Sequence, residues 1–117
     1  MYILEWAVIK FNRFGRRQER IFGIDGEYCY NIVRERKDSR KMYVKTKRPI
    51  QSVLKAYICK DDFDDPTRFR VTWDNTDGSE PYEIEYTCQI DTDVDNLEAA
   101  ADAQEICDKL NYIIERM

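Results

Sequence analysis

Residues 95–117, DNLEAAADAQEICDKLNYIIERM, decide the fold, because here the hydrophobic period of the chain changes. Apolar residues fall at Ala99, Ala103, Ile106, Leu110, Ile113 and Met117. Steps of four and three trace one face of an α-helix, and Cys107 and Ile114 widen the stripe. Asp95 with Glu98 has the spacing of an N-terminal cap, where a side-chain oxygen accepts the free amides of the first turn. The spacing predicts a helix near 96–115 whose stripe packs against a sheet. Everything before it alternates instead. Strands are expected over 3–11, 18–24, 27–33, 42–47, 52–59, 68–73 and 81–88, from period-two patterning and β-branched and aromatic residues. Tyr82, Ile84, Tyr86 and Cys88 alternate with polar residues in the last of them.

The connections read as turns. Asn12 and Gly15 interrupt the first two strands, and Asp25-Gly26 has the form of a two-residue hairpin with positive φ at both positions. Residues 34–41 (RERKDSRK) form a charged loop. Pro49, which cannot donate to a ladder, is expected to end the fourth strand. Residues 60–67 (KDDFDDPT) form an acidic loop, and Asn75 to Gly78 a turn. Seven antiparallel strands and one C-terminal helix imply a mostly β, partly open barrel of two near-orthogonal sheets, with the helix covering one open end. Lipocalin and oligonucleotide-binding barrels fit less well, since neither places one capping helix after seven strands in so short a chain. With 117 residues the chain is expected to be one domain, and a piece of a larger protein.

Composition excludes several functions. There is no histidine, so His-based triads and the usual zinc sets are excluded. Cys29, Cys59, Cys88 and Cys107 form no Cys-x-x-Cys element; the expectation is four buried free thiols, with a disulfide framework as the alternative. The pairs Asp61-Asp62 and Asp64-Asp65 lack the EF-hand pattern, and Asp91, Asp93 and Asp95 suit a helix N-terminus. No catalytic residue, metal or cofactor is expected.

Charge is more informative. Residues 1–55 hold fourteen Lys/Arg against six Asp/Glu, a balance of +8; residues 56–117 hold five against seventeen, a balance of -12. A basic face is thus expected beside an acidic one. The basic side chains Lys10, Arg13, Arg16, Arg17 and Arg20 come from the first hairpin, and Lys45, Lys47 and Arg48 end the fourth strand. Arg34, Arg36, Lys37, Arg40 and Lys41 line the loop between the third and fourth strands. All three segments are expected to meet at the open end, where Arg forks and Lys ammonium groups would converge on phosphates. Lys45 and Lys47, two apart, are expected on one face of their strand. Nucleic acid is not expected as a partner.

Several stretches, in this order, carry a resemblance: 14–20 (FGRRQER) with 23–28 (GIDGEY), 44–50 (VKTKRPI), 69–73 (FRVTW) and 105–115 (EICDKLNYIIE). The chain resembles the pleckstrin-homology domains at the C-terminus of the stress-activated MAP kinase interacting proteins, subunits of target of rapamycin complex 2, in their fungal form. The resemblance implies phosphoinositide binding, a peripheral position at the plasma membrane, and contact with the kinase or other subunits of that complex. It implies headgroup contacts at Arg13 and at the Lys45/Lys47 pair. In the wider lipid motif Lys-xn-(Lys/Arg)-x-Arg, Lys10 and Arg20 match, while Gln18 stands where a basic residue is expected. The alternative is a protein-interaction module of the same fold that uses the acidic half or a sheet edge.

Overall fold

The computed structural model describes residues 3–38, 40–59, 65–75 and 78–116. Asp61, Asp62, Asp64 and Met117, named above, lie outside the described residues, as does the middle of the turn after Asn75. Seven strands follow one another: β1 Leu4–Phe11, β2 Arg17–Ile24, β3 Tyr28–Arg34, β4 Met42–Pro49, β5 Val53–Ile58, β6 Arg68–Trp73 and β7 Tyr82–Thr87; the helix α1 spans Asn96–Glu115. The strands form one sheet in the order β4-β3-β2-β1-β7-β6-β5 with antiparallel neighbours. β1 is the hinge. All eight of its residues pair with β2, from Leu4 opposite Ile24 to Phe11 opposite Arg17. Only Ile9, Lys10 and Phe11 also pair with β7, so the two halves of the sheet part toward the start of β1. This is the expected seven-stranded, partly open barrel with its helix.

Side chains on the inner face follow directly from the register. Val8 on β1, Phe22 and Ile24 on β2, Phe69 and Val71 on β6 and Tyr86 on β7 are buried there. Phe22 meets Tyr86 edge-on at 5.3 Å, and Tyr86 stacks on Phe69 at 5.1 Å, which ties both halves of the sheet to one aromatic cluster. The helix closes the core with Ala99, Ala103, Ile106, Cys107 and Leu110, all buried, as the stripe predicts. Asp95 caps it, accepting the amides of Leu97 at 2.8 Å and Glu98 at 3.2 Å. The helix is not long and apolar enough to cross a membrane.

Two local expectations need correction. β4 does not stop before Pro49 but runs through Arg48 to Pro49, which sits opposite Tyr28. β4 is an edge strand, where a missing amide leaves no ladder bond unmade. The second hairpin is present, but Gly26 does not adopt positive φ. Its turn is closed by the Asp25 carboxylate, which accepts the amides of Glu27 and Tyr28, both at 2.7 Å, and the Tyr30 hydroxyl. Burial is the largest influence on Asp25 and opposes its ionisation, yet these three donors and nearby Lys47 together bring its pKa below the usual value. Tyr30, donating to that carboxylate, is pushed up to about 12.

Candidate functional site

The loop from Asn12 to Arg16 is built by Asn12. Its side-chain oxygen accepts the amides of Phe14 at 2.9 Å and Arg16 at 3.0 Å, and its carbonyl accepts the amide of Gly15. Gly15 has φ +77, a conformation that side-chain-bearing residues rarely adopt. The result is a presented tip: Phe14 is 74% exposed, with the Arg13 guanidinium 4.8 Å above its ring.

Lys10, just before this loop, pairs with Gln18 on one side and Tyr86 on the other, so it shares the inner face with the core. Burial, first, and then the charges of Arg20, Lys45 and Arg48 lower its pKa. Lys45 and Arg48 thus stand with Lys10 at one end of the inner face. Lys10, Lys45 and Arg48 line a small cavity of about 120 Å³ between the halves of the sheet. Lys10 and Arg48 also line an outer cleft of about 710 Å³, to which the loop contributes Arg13 and Gly15. The outer cleft holds Glu83 and Glu85, but Arg70 lies against both, at 3.7 and 3.0 Å, and Arg68 meets Glu85 at 2.9 Å. Arg20 is half-buried; one guanidinium nitrogen donates to its neighbour's carbonyl at 2.7 Å, and its Nε is buried without a partner among the described residues.

The expected convergence is therefore partial, and a bulge is the reason. The β3–β4 ladder slips between Asn31 and Ile32: Thr46 faces Asn31, Val44 faces Ile32, and Lys45 is the extra residue. The alternation that would put Lys45 and Lys47 on one face is broken there. Lys45 lines the inner cavity. Lys47, opposite Tyr30, lies with its ammonium 4.5 Å above the Tyr28 ring. Arg17 is also turned away from Lys10. It pairs with Phe11, places its guanidinium 5.6 Å from that ring and donates to the Gln89 carbonyl at 3.4 Å. Arg20, Arg34 and Arg36 join Arg17 along a separate groove rather than the cavity of Lys10, and Arg40 pairs with Asp38 at 3.1 Å. Arg16 is exposed in the loop.

The third cation expected at the end of the fourth strand lies at the centre of the cluster. Arg48 sits opposite Cys29, on the inner face, with its guanidinium 4.6 Å from the Tyr82 ring and 5.4 Å from the Trp73 ring. Counting the ladder outward from the Asp25 turn gives its face, since Cys29 and Arg48 are paired. The four cysteines are free and buried, and burial raises Cys59 to about 11 and Cys29, Cys88 and Cys107 to about 12. Thiols held in that form are poor nucleophiles.

No family model and no curated protein sequence matches this chain. Solved structures do match in shape. The DH/PH domains of p115-RhoGEF superpose with a TM-score of 0.70 at 11% identity, covering 97% of this chain and 30% of that one. The chain thus spans under a third of the length of that exchange-factor structure. The Slm1 PH domain in complex with D-myo-inositol-4-phosphate gives 0.65 at 6% identity, covering 94% of each chain. The human PH domain of oxysterol-binding-protein-related protein 11 gives 0.59 at 15% identity, covering 99% of this chain and 82% of that one. The architecture is that of a pleckstrin-homology domain. What this fold presents here is a basic mouth at one end of the sheet and a helix over the other.

Proposed function

We propose that this chain is a phosphoinositide-binding module that holds a subunit of target of rapamycin complex 2 at the plasma membrane. The observation that carries the reading is the placing of Lys10, Lys45 and Arg48 together on one cavity at the end of the inner face. Like charges brought together repel, and an anion relieves the repulsion. Inositol phosphates fit that role: they are small and multiply charged, and the Slm1 domain of the same shape is solved with one. Arg13 and Phe14 at the neighbouring loop tip supply a cation and an exposed ring that suit a membrane interface. The resemblance in stretches 14–20 with 23–28, 44–50, 69–73 and 105–115 supports the link to the kinase complex. The test is cosedimentation with phosphatidylcholine vesicles with and without phosphatidylinositol bisphosphate. The protein should pellet only with the phosphorylated lipid, and equal pelleting with both would refute the reading.

A second reading is favoured by a groove of about 870 Å³ at the opposite end of the first hairpin. Leu4, Ile24, Tyr112 and Ile113 line it, and Glu105 and Asp108 give it an acidic character. Such a groove suits a basic, partly apolar segment of a protein partner. Tyr112→Glu, at a position 56% exposed, would abolish capture of the kinase complex under this reading and leave vesicle binding intact.

A further inference from the structure

The sheet has two edges, and the fold treats them differently. At β5 the helix intervenes, where Asn111 takes both the amide and the carbonyl of Ala56. β4, at the other end, has no strand beyond it among the described residues. Its side chains are exposed almost throughout, and Met42, Tyr43 and Val44, at 46%, 53% and 50%, form a run of large apolar residues facing solvent. Soluble proteins guard open edges with lysines, prolines and bulges. Here those devices, Lys45 with its bulge, Lys47 and Pro49, stand in the second half of the strand. The first half, from Met42 to Val44, has none of them.

The backbone there dictates the form of what covers it. Glu35 donates its amide to the Lys41 carbonyl at 2.9 Å. Bonded and unbonded pairs alternate along an antiparallel ladder, so Tyr43 and Val33 are the next bonded pair. Met42 and Val44 then turn their amides and carbonyls away from β3, and these groups match the spacing of another strand. The surroundings dictate its charge. Residues 34–47 hold seven Lys/Arg against two Asp/Glu, and one of those acids, Asp38, is paired with Arg40. A second copy of this edge would bring two such cationic segments together, and like charges across a strand pair are destabilising. A bilayer core would leave the outward backbone groups without partners.

We propose that the first half of β4 is a docking edge for an extended segment of a partner protein, apolar at its centre and acidic at its ends, which adds a strand beyond β4. The outward groups of Met42 and Val44 supply the main-chain bonds. Tyr43 on one face of the strand, and Met42 and Val44 on the other, supply the side-chain contacts. The inference stands apart from the headgroup reading. Lys45 lines the inner cavity, whereas the docking groups point along the plane of the sheet. One strand thus serves a lipid on its inner face and a protein along its edge.

The test is amide hydrogen exchange of β4, followed by proton–nitrogen NMR. The probe is a capped synthetic peptide with a Val-Thr-Val-Thr-Val centre and paired glutamates at each end; one control has lysines in place of the glutamates, and another has prolines in place of the threonines. At saturation the glutamate peptide should slow exchange of the Met42 and Val44 amides by at least about tenfold, while the Tyr43 amide, bonded to β3, is slow throughout. Neither control should protect them, and added salt should weaken the effect. Met42→Pro removes one outward amide at the start of the strand, where proline is tolerated. It should weaken peptide binding by roughly tenfold, the loss of one backbone hydrogen bond, and leave cosedimentation with phosphatidylinositol bisphosphate vesicles as in the parent. No protection by the glutamate peptide at millimolar concentration would overturn the proposal and leave the headgroup reading standing. Equal protection by the lysine peptide would overturn the acidic partner. Protection that needs no peptide and rises with protein concentration, together with a dimer in sedimentation velocity, would make the occupant a second copy. Protection by vesicles and not by peptide would make it a membrane, and either result would overturn the proposal.

Discussion

Asn111 on α1 grips the backbone of Ala56 on β5 with both ends of its amide: Nδ2 donates to the Ala56 carbonyl at 2.9 Å, and Oδ1 accepts the Ala56 amide at 3.4 Å. β5 is an edge strand, and its outward N–H and C=O groups would otherwise lack partners inside the fold. The helix thus does two things at once. Its apolar stripe closes the core, and one polar residue beside that stripe completes an open strand edge.

Removing that grip should be costly for a half-buried polar side chain. Asn111→Ala leaves a buried amide and carbonyl unpaired and should lower stability by about 1–3 kcal/mol. Leu110→Ala, one residue away and fully buried, should cost about 2–5 kcal/mol through lost burial and a cavity. Urea unfolding of both variants checks this. A near-neutral result for Leu110→Ala would refute the packing of α1 on the sheet.

Asp25 should make stability depend on pH in the acid range. Its folded pKa is depressed, so its contribution is present above the unfolded value of about 3.9 and is lost as pH falls below it. Tyr30 acts in the opposite direction. Its pKa is raised to about 12, so the stability from the Tyr30–Asp25 hydrogen bond is complete below pH ~10 and is lost as pH rises toward the folded value. Asp25→Asn should flatten the acid limb of a melting-temperature profile measured from pH 2 to 7, against a parent profile that falls steeply only below pH ~4.

The period change at Asp95, the helical stripe and the seven alternating segments were all legible in the sequence, because each is repeated over many residues and tolerates an error of one. The face of a single cation in the middle of a strand was not. One extra residue at Lys45 reverses every assignment beyond it, and no residue type announces a bulge there. Arg17 was grouped with its loop neighbours, although its register opposite Phe11 turns it away from Lys10.

That bulge separates two lysines that alternation would treat alike. Lys45→Glu should weaken inositol bisphosphate binding by about 2 kcal/mol, roughly thirtyfold, since it removes one attraction of ~1 kcal/mol and adds a repulsion of similar size. Lys47→Glu, over Tyr28 rather than in the cavity, should weaken it by no more than about threefold, the effect of a distant screened charge. Calorimetry with each single variant separates them, and equal losses would contradict the inner-face assignment.

The four thiols should be silent in the native state. All are buried with raised pKa values, so few are thiolate near neutrality. A colorimetric thiol reagent at pH 7.5 should react slowly with the folded protein and rapidly with all four cysteines in denaturant. Fast reaction of any cysteine in the folded protein would show that its burial is not maintained.

The central claim is that phosphoinositide binding depends on where the cations sit and not on how many there are. It is tested most directly by cosedimentation of two double variants with vesicles containing phosphatidylinositol bisphosphate. Lys10→Gln with Lys45→Gln removes two charges from the cavity; Arg34→Gln with Arg36→Gln removes two from the groove beside Arg17. The net charge of the two proteins is the same. The first should bind at least tenfold more weakly than the parent and the second within about threefold of it, on the scale of ~1 kcal/mol for each basic residue engaged at an anionic surface. Equal weakening of both variants would contradict the account.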